Sequence, residues 1–373
     1  MKNLLSILLL LLCSCESTKP LTDSNIKIDF QDEGLHSSSV FQKQKIIKLD
    51  SSSPDAILKS TQRILCADSL LFVLDKEGNK IVAFDYDGRF LGSTLGLVGH
   101  AKNEYIHFTD AAIDNVNHLI YLYCDIPYQM MILDYNLNVK DCVKMKDLAI
   151  EITIDASYVY ALCPDAEDES HYELRRYSRE NLNEKYDVII DQREAICRVG
   201  GLGKSINGNG NSVYVCMPFD NTIYEITKGT IKRRWILDFD GKWFDYGKNK
   251  NLKGSRFIDM NDDMNWTIQN IVASDTTLLF NTNQSNVFKA SVSSDNGGAY
   301  TNIVNDSIPF SSSWMIPTNL RNGIAFKILS SYIVNYKNYY IDRHEDLPAH
   351  PINNIIEKTK EGDNPLIILG TVR

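Results

Sequence analysis

Two landmarks in the first half of the chain repeat at one interval. Ser69-Leu70-Leu71-Phe72-Val73-Leu74 and His118-Leu119-Ile120-Tyr121-Leu122-Tyr123 start 49 residues apart, and Asp85 and Asp134, which close the strands that follow, are separated by the same distance. In each copy a short apolar run is followed by a second run, Lys80–Asp85 or Met130–Asp134, and then by a turn at Tyr86-Asp87-Gly88 or Tyr135-Asn136. Weaker copies begin at Tyr158, Val213 and Thr277, and the least regular unit spans 311–373 with its closing strand at Leu366-Ile367-Ile368-Leu369. Periods of about 40 to 50 residues that each hold several short strands are the mark of a β-propeller. No stretch keeps a helical period. The expected fold is therefore all-β, with antiparallel four-stranded blades whose inner strands are apolar because they are covered on both faces. Residues 41–373 divide into six units of about 55 residues. A seventh would need the stretch 241–265, which is charged and without strand pattern, and reads as a long insertion between blades four and five.

The N-terminus carries a different signal. Leu4–Leu12 is apolar except for Ser6 and follows a single Lys2. Nine helical residues reach roughly 13 Å, far short of the ~30 Å core of a bilayer. The segment is thus the apolar region of a signal peptide. Leu12-Cys13-Ser14-Cys15 resembles the bacterial lipobox, which implies cleavage after Ser14, acylation of Cys15, and anchoring through outer-membrane lipid. Glu16 is similar to the export signal of surface-displayed lipoproteins, but a single acid leaves the membrane face open. Residues 15–40 are polar and read as a tether, so the propeller is expected at 41–373.

Three segments resemble a largely uncharacterised family of six-bladed β-propeller lipoproteins of Gram-negative bacteria, with a TolB-like propeller shape. They are Asp68–Asp75, the stretch from Gly96 to Tyr105 ending Gly99-His100-Ala101-Lys102-Asn103-Glu104-Tyr105, and Gly362-Asp363-Asn364-Pro365. The second is similar to the family's Gly-x-Gly-Pro-Gly-Glu-Tyr link into blade two, but lacks its Pro-Gly pair. The resemblance implies a ring closed by pairing of the N- and C-terminal strands, with Gln44–Leu49 beside Leu366–Val372, so that no sheet edge stays open.

The formal net charge is −9, which disfavours nucleic acid and anionic surfaces as partners. The nucleophile elbow, His-Glu-x-x-His, the phosphate-binding Gly-x-x-x-x-Gly-Lys and Cys-x-x-Cys are all missing. Gly201-Leu202-Gly203-Lys204 and Gly208-Asn209-Gly210-Asn211 read as turns. The six cysteines after Cys15 lie in or beside apolar runs and read as buried thiols. No cofactor is expected. The segment best able to hold an ion is Asp259, Asp262 and Asp263 in the insertion, where hard oxygen ligands would suit calcium. Asp165-Ala166-Glu167-Asp168-Glu169 reads as an exposed hairpin tip, and His344 and His350 have no ligand spacing.

Trp243, Phe244 and Tyr246 in the insertion are the candidate ligand-binding aromatics, on the premise that they are exposed. Glu104 and Tyr105 are candidates for a channel mouth or, preferably, an anchor between blades. The expected function is a lipid-anchored binding module of the cell envelope with a protein or glycan ligand. The alternative is a metal-dependent enzyme of lactonase or lyase type, with a cation held in the central channel by Glu, Asn and Asp side chains.

Overall fold

The computed structural model of the chain describes residues 21–168, 171–193, 203–245, 263–306, 308–320 and 322–373. Short alternating or continuous apolar runs become strands β1 (Thr22–Phe30), β2 (Leu35–His36) and β3 (Phe41–Lys48), followed by β4 (Arg63–Cys66), β5 (Leu70–Asp75), β6 (Lys80–Asp85) and β7 (Phe90–Ser93). Next come β8 (His107–Asp114), β9 (Leu119–Ile126), β10 (Tyr128–Asp134), β11 (Val139–Lys144), β12 (Glu151–Ile154), β13 (Tyr158–Pro164), β14 (Tyr172–Ser178) and β15 (Tyr186–Gln192). The second half holds β16 (Ile206–Gly208), β17 (Ser212–Val215), β18 (Thr222–Thr227), β19 (Thr230–Asp238), β20 (Ile268–Ala273), β21 (Thr277–Thr282), β22 (Val287–Ser291) and β23 (Asn296–Tyr300). It ends with β24 (Ile303–Val304), β25 (Ser311–Ser312), β26 (Ile316–Pro317), β27 (Gly323–Ile328), helices α1 (Ser330–Asp342) and α2 (Asn353–Lys358), and β28 (Leu366–Val372).

The strands pair mainly in antiparallel sets of four: β4–β7, β8–β11, β12–β15, β16–β19 and β20–β23, each in chain order. A further set runs β26-β27-β28-β3, with Ile46 opposite Ile368 and Lys48 opposite Leu366, so the N-terminal strand borders the C-terminal one. First strands lie against first strands: β4 meets β8, β8 meets β12, β12 meets β16, β16 meets β20, β20 meets β26, and β26 meets β4. Apolar side chains fill the spaces between successive sets. Phe72, Leu74 and Ile81 pack on Phe108, Leu122 and Met131, for example, and Ile64 and Val73 pack with Ile47 and Ile367. This two-sided covering explains why β5 and β17 are apolar without alternation, as the sequence predicted.

Two features depart from the sequence expectation. The 15–40 tether is not wholly a tether, because β1 lies between β19 and β23 and pairs parallel with both, joining two sets into a nine-stranded sheet. Ile26 and Ile28 are fully buried there beside Trp235, Phe280 and Phe288, while Asn25, Lys27 and Asp29 face outward. The last unit also contains helices, with Ile333 of α1 and Ile352 and Ile356 around α2 buried against Phe326 and Leu366. α1 carries a spread of tyrosines rather than an apolar stripe, so its period was weak. No helix among the described residues is long and apolar enough to cross a membrane.

Candidate functional site

The first strands bring four charged side chains to one place. Arg63 opens β4, Asp110 lies in β8, Glu151 opens β12, and Lys204 stands two residues before β16. Arg63 Nη1 donates to both Asp110 carboxylate oxygens, at 2.7 and 2.8 Å, and to the Ile152 carbonyl at 3.1 Å. Lys204 Nζ donates to Asp110 Oδ2 and to the Ile152 carbonyl, both at 2.7 Å, and the Ile152 amide donates to the same carboxylate at 2.8 Å. Glu151 Oε2 accepts from the Ser205 and Ile206 amides at 2.8 and 3.0 Å. The side chains of Arg63, Asp110 and Lys204 are at most 8% exposed. Burial raises the Asp110 carboxyl, but the Arg63 guanidinium and Lys204 ammonium outweigh it and hold it well below the usual carboxylate range. Burial and the nearby Arg63 push the Lys204 amine down, and burial pushes the Glu151 carboxyl up.

Beside this cluster is a half-enclosed cavity of about 280 Å³, with Arg63 in its wall. Its rim is made where first strands turn into second strands, and a short polar side chain caps each turn. Asp114 accepts from the amides of Val116 and Asn117, Asp155 from Ser157 and Tyr158, and Asn209 from Asn211 and Ser212. These Asx turns explain why Asp or Asn recurs at the end of a first strand. The capping geometry leaves a lining rich in amides, namely Asn115, Asn117, Asn209, Asn211 and Asn319, with Arg179 joined to Asp114 at one side. Asn319 is fixed by a pair of bonds to the Cys66 backbone.

The acid at the meeting point of β4, β8 and β12 is engaged by two cationic side chains, Arg63 and Lys204.

The residues singled out from sequence fall elsewhere. Tyr105 is fully buried; its hydroxyl shares a bond with Thr94 Oγ1 at 2.8 Å and donates to the Asn79 carbonyl at 3.1 Å. Its backbone ties back to Leu97 and Gly99, and Glu104 Oε2 accepts from the Ala101 amide at 2.8 Å. A Cβ on Gly99 would sit 2.1 Å from Glu104 Oε2 and displace that carboxylate from the Ala101 amide. These bonds tie down the link between β7 and β8, so Tyr105→Phe should cost about 1–2 kcal/mol by removing the hydroxyl that serves buried Thr94 and the half-buried Asn79 carbonyl. Urea unfolding checks this, and a variant as stable as the parent would contradict the anchor.

Phe244 is 3% exposed and belongs to the core with Trp266 and Phe219, which corrects the premise of an exposed aromatic cluster. Trp243 is half-buried and stacks on Phe239 with centroids 4.8 Å apart. The neck of the insertion is zipped by Phe244 and Asn265, whose amides donate to the carbonyls of Asn265 and Lys242. That pairing turns both aromatics inward. Tyr246, Asp259 and Asp262 lie outside the described residues, as do Cys15 and Cys197; Asp263 is exposed, and Cys142, expected to be buried, is only half-buried. Cys66, Cys124, Cys142, Cys163 and Cys216 are free thiols, and burial pushes Cys66 and Cys163 up to about 12. Sequence reasoning passed over Arg63, Asp110, Glu151 and Lys204. The available signal was a charge at or beside the start of an inner strand, in the middle of an otherwise apolar run.

These features define an all-β protein of four-stranded antiparallel sheets whose inner strands meet around a buried charge cluster and an amide-lined cavity. The chain belongs to the family described as a domain of unknown function, DUF4934, which it matches over residues 24–371. Among solved structures it is similar to an exported protein of Bacteroides fragilis, at 12% identity and a TM-score of 0.66, covering 94% of this chain and 100% of that one. It is also similar, more loosely, to the β-propeller domain of Cps50 (Swd1) from Myceliophteria thermophila, at 9% identity and a TM-score of 0.39, covering 62% and 66%. BamB from Moraxella catarrhalis matches at 9% identity and a TM-score of 0.41, covering 67% and 69%. No curated protein matches the sequence.

Proposed function

We propose that this chain is a six-bladed β-propeller that works as a non-catalytic binding module, held at the cell envelope by a lipid on Cys15. Six four-stranded sets, the circuit of first-strand contacts, and the pairing of β28 with β3 support a closed ring. The lipobox at Leu12-Cys13-Ser14-Cys15 supports the anchor and an outer-membrane location.

The observation that carries the binding reading is the contrast between the cluster and the cavity beside it. Asp110, Arg63 and Lys204 are engaged with one another and Glu151 Oε2 holds two backbone amides, a structural use of these charges rather than an acid and base pair poised on a substrate. The cavity offers instead amide donors and acceptors at fixed turns, suited to the hydroxyls and ring oxygens of a glycan. A glycan is therefore the favoured ligand class, and the cavity rather than the insertion is the favoured site.

The test is binding of the purified chain to immobilised envelope oligosaccharides, with Asn117→Ala/Asn211→Ala and Trp243→Ala beside the parent. The paired asparagine variant should weaken binding at least about tenfold, the loss expected when two polar contacts worth about 1 kcal/mol each are removed. Trp243→Ala should bind as the parent does. Equal binding by the asparagine variant would sink the cavity, and loss through Trp243 would restore the insertion.

A further inference from the structure

We propose that His171, Glu173 and Asp191 form a binding site for a divalent transition-metal ion of the zinc type. The site lies at the β13–β14 hairpin tip and the end of β15, away from the amide-lined cavity, and does not depend on the glycan reading.

Strand geometry creates the cluster. His171 and Glu173 are two residues apart at the start of β14, so their side chains share a face, and Glu173 stands directly opposite Asp191 of β15. Their ligand atoms lie within 4.8 Å of one another. His171 Nε2 is 2.8 Å from Asp191 Oδ1 and 3.7 Å from Glu173 Oε1. A tetrahedral zinc with bonds of about 2.0–2.1 Å separates its ligands by roughly 3.3 Å. The two distances from the imidazole bracket that value, and the two carboxylate oxygens, within 4.8 Å of each other, close on an ion by side-chain adjustments of up to about 1.5 Å.

The surroundings are those a metal ligand set needs. The second ring nitrogen, Nδ1, lies 3.3 Å from Asp165 Oδ2, which fixes the imidazole with Nε2 toward the two carboxylates. Arg175 Nε holds Glu173 Oε2 at 2.7 Å, and Arg193 holds Asp191 Oδ2 at 3.0 Å. Each carboxylate thus keeps its other oxygen for the ring nitrogen and for an ion. With a neutral imidazole, three carboxylates face two guanidiniums, and the excess negative charge favours a cation. His171 is 8% exposed whereas the Asp191 side chain is 41% exposed, so an ion has an entry side and one open coordination position for water. One imidazole with two carboxylates selects zinc-type ions over calcium, which takes six to eight oxygens.

The experiment is calorimetric titration of zinc chloride into full-length protein stripped with EDTA, with calcium chloride in parallel. One zinc per chain should bind, with affinity falling as the pH is lowered, because the ring nitrogen must be unprotonated. His171→Gln and Asp191→Asn should each weaken zinc binding at least about a hundredfold. Asp191→Asn guards against a folding defect, since the residue is exposed, and circular dichroism of both variants verifies the fold. No uptake at 100 times the expected micromolar range (on the order of 100 µM) overturns the proposal. So does undiminished binding by a folded Asp191→Asn variant, or calcium binding as tight as zinc.

Discussion

Asp110→Ala should lower the stability of this protein by about 3–5 kcal/mol, the range seen when one partner of a buried charge network is removed. Asp110 is the carboxylate that both Arg63 and Lys204 touch, and its loss strands two cations that are 5% and 8% exposed. It also takes the acceptor from the Ile152 amide. Lys204→Met is the informative comparison. It deletes one cation, fills much of the same volume, and leaves the two bonds from Arg63 to Asp110 intact. Its cost should be under about 2 kcal/mol, because replacing a buried charge by an apolar group relieves desolvation as it removes attraction. Urea unfolding followed by tryptophan fluorescence gives both numbers. If Lys204→Met proved as damaging as Asp110→Ala, the carboxylate would not be the hub.

The same cluster sets a pH dependence. Although burial alone raises it, the Asp110 carboxyl is held below the usual range by its two cations. A depressed folded value means that the unfolded chain binds the proton more readily. The contribution is therefore present above the unfolded value near 3.9 and is lost as pH falls below that toward the folded value. An Asp110→Asn variant should show a shallower fall in stability than the parent between about pH 5 and pH 3.

What could be read in advance follows from what a local pattern encodes. The repeat was legible because inner strands such as Leu71–Leu74 are covered on both faces and so are apolar without interruption. The pairing of Gln44–Lys48 with β28 was legible because exposed sheet edges are costly and an N-terminal strand beside the C-terminal one covers an edge. The charge cluster was hidden because its members lie 47 and 94 residues apart, on strands that meet only in three dimensions. Lys204 looked like part of a glycine-rich turn, and nothing local says that its amine crosses to Asp110. Trp243 and Phe244 misled for a related reason: an insertion reads as surface, and its zipped neck is invisible until Asn265 is placed beside it. His171, Glu173 and Asp191 were equally obscure, since a β-register supplies the third ligand.

The first strand exposes that limit most directly. Asn25-Ile26-Lys27-Ile28-Asp29-Phe30 alternates as a half-buried strand should, yet polar neighbours made the segment read as tether. A tether would tolerate Ile26→Ala/Ile28→Ala with almost no change. In the structure both side chains are fully buried against Trp235, Phe280 and Phe288, so truncating the pair should cost on the order of 5 kcal/mol. The two sites are neighbours on one face and share cavity walls, so the sum of the single variants need not equal the pair. Lys27→Ala, on the outward face, should stay within about 0.5 kcal/mol. Removing residues 1–30 should do more than destabilise. It would leave β19 and β23 with unpaired backbone groups facing each other across an empty slot, two open edges in one molecule. Size-exclusion chromatography should then show assemblies larger than those of the intact chain. A truncated chain that assembles no further than the intact one and unfolds at the parent's urea midpoint would return β1 to the status of a tether.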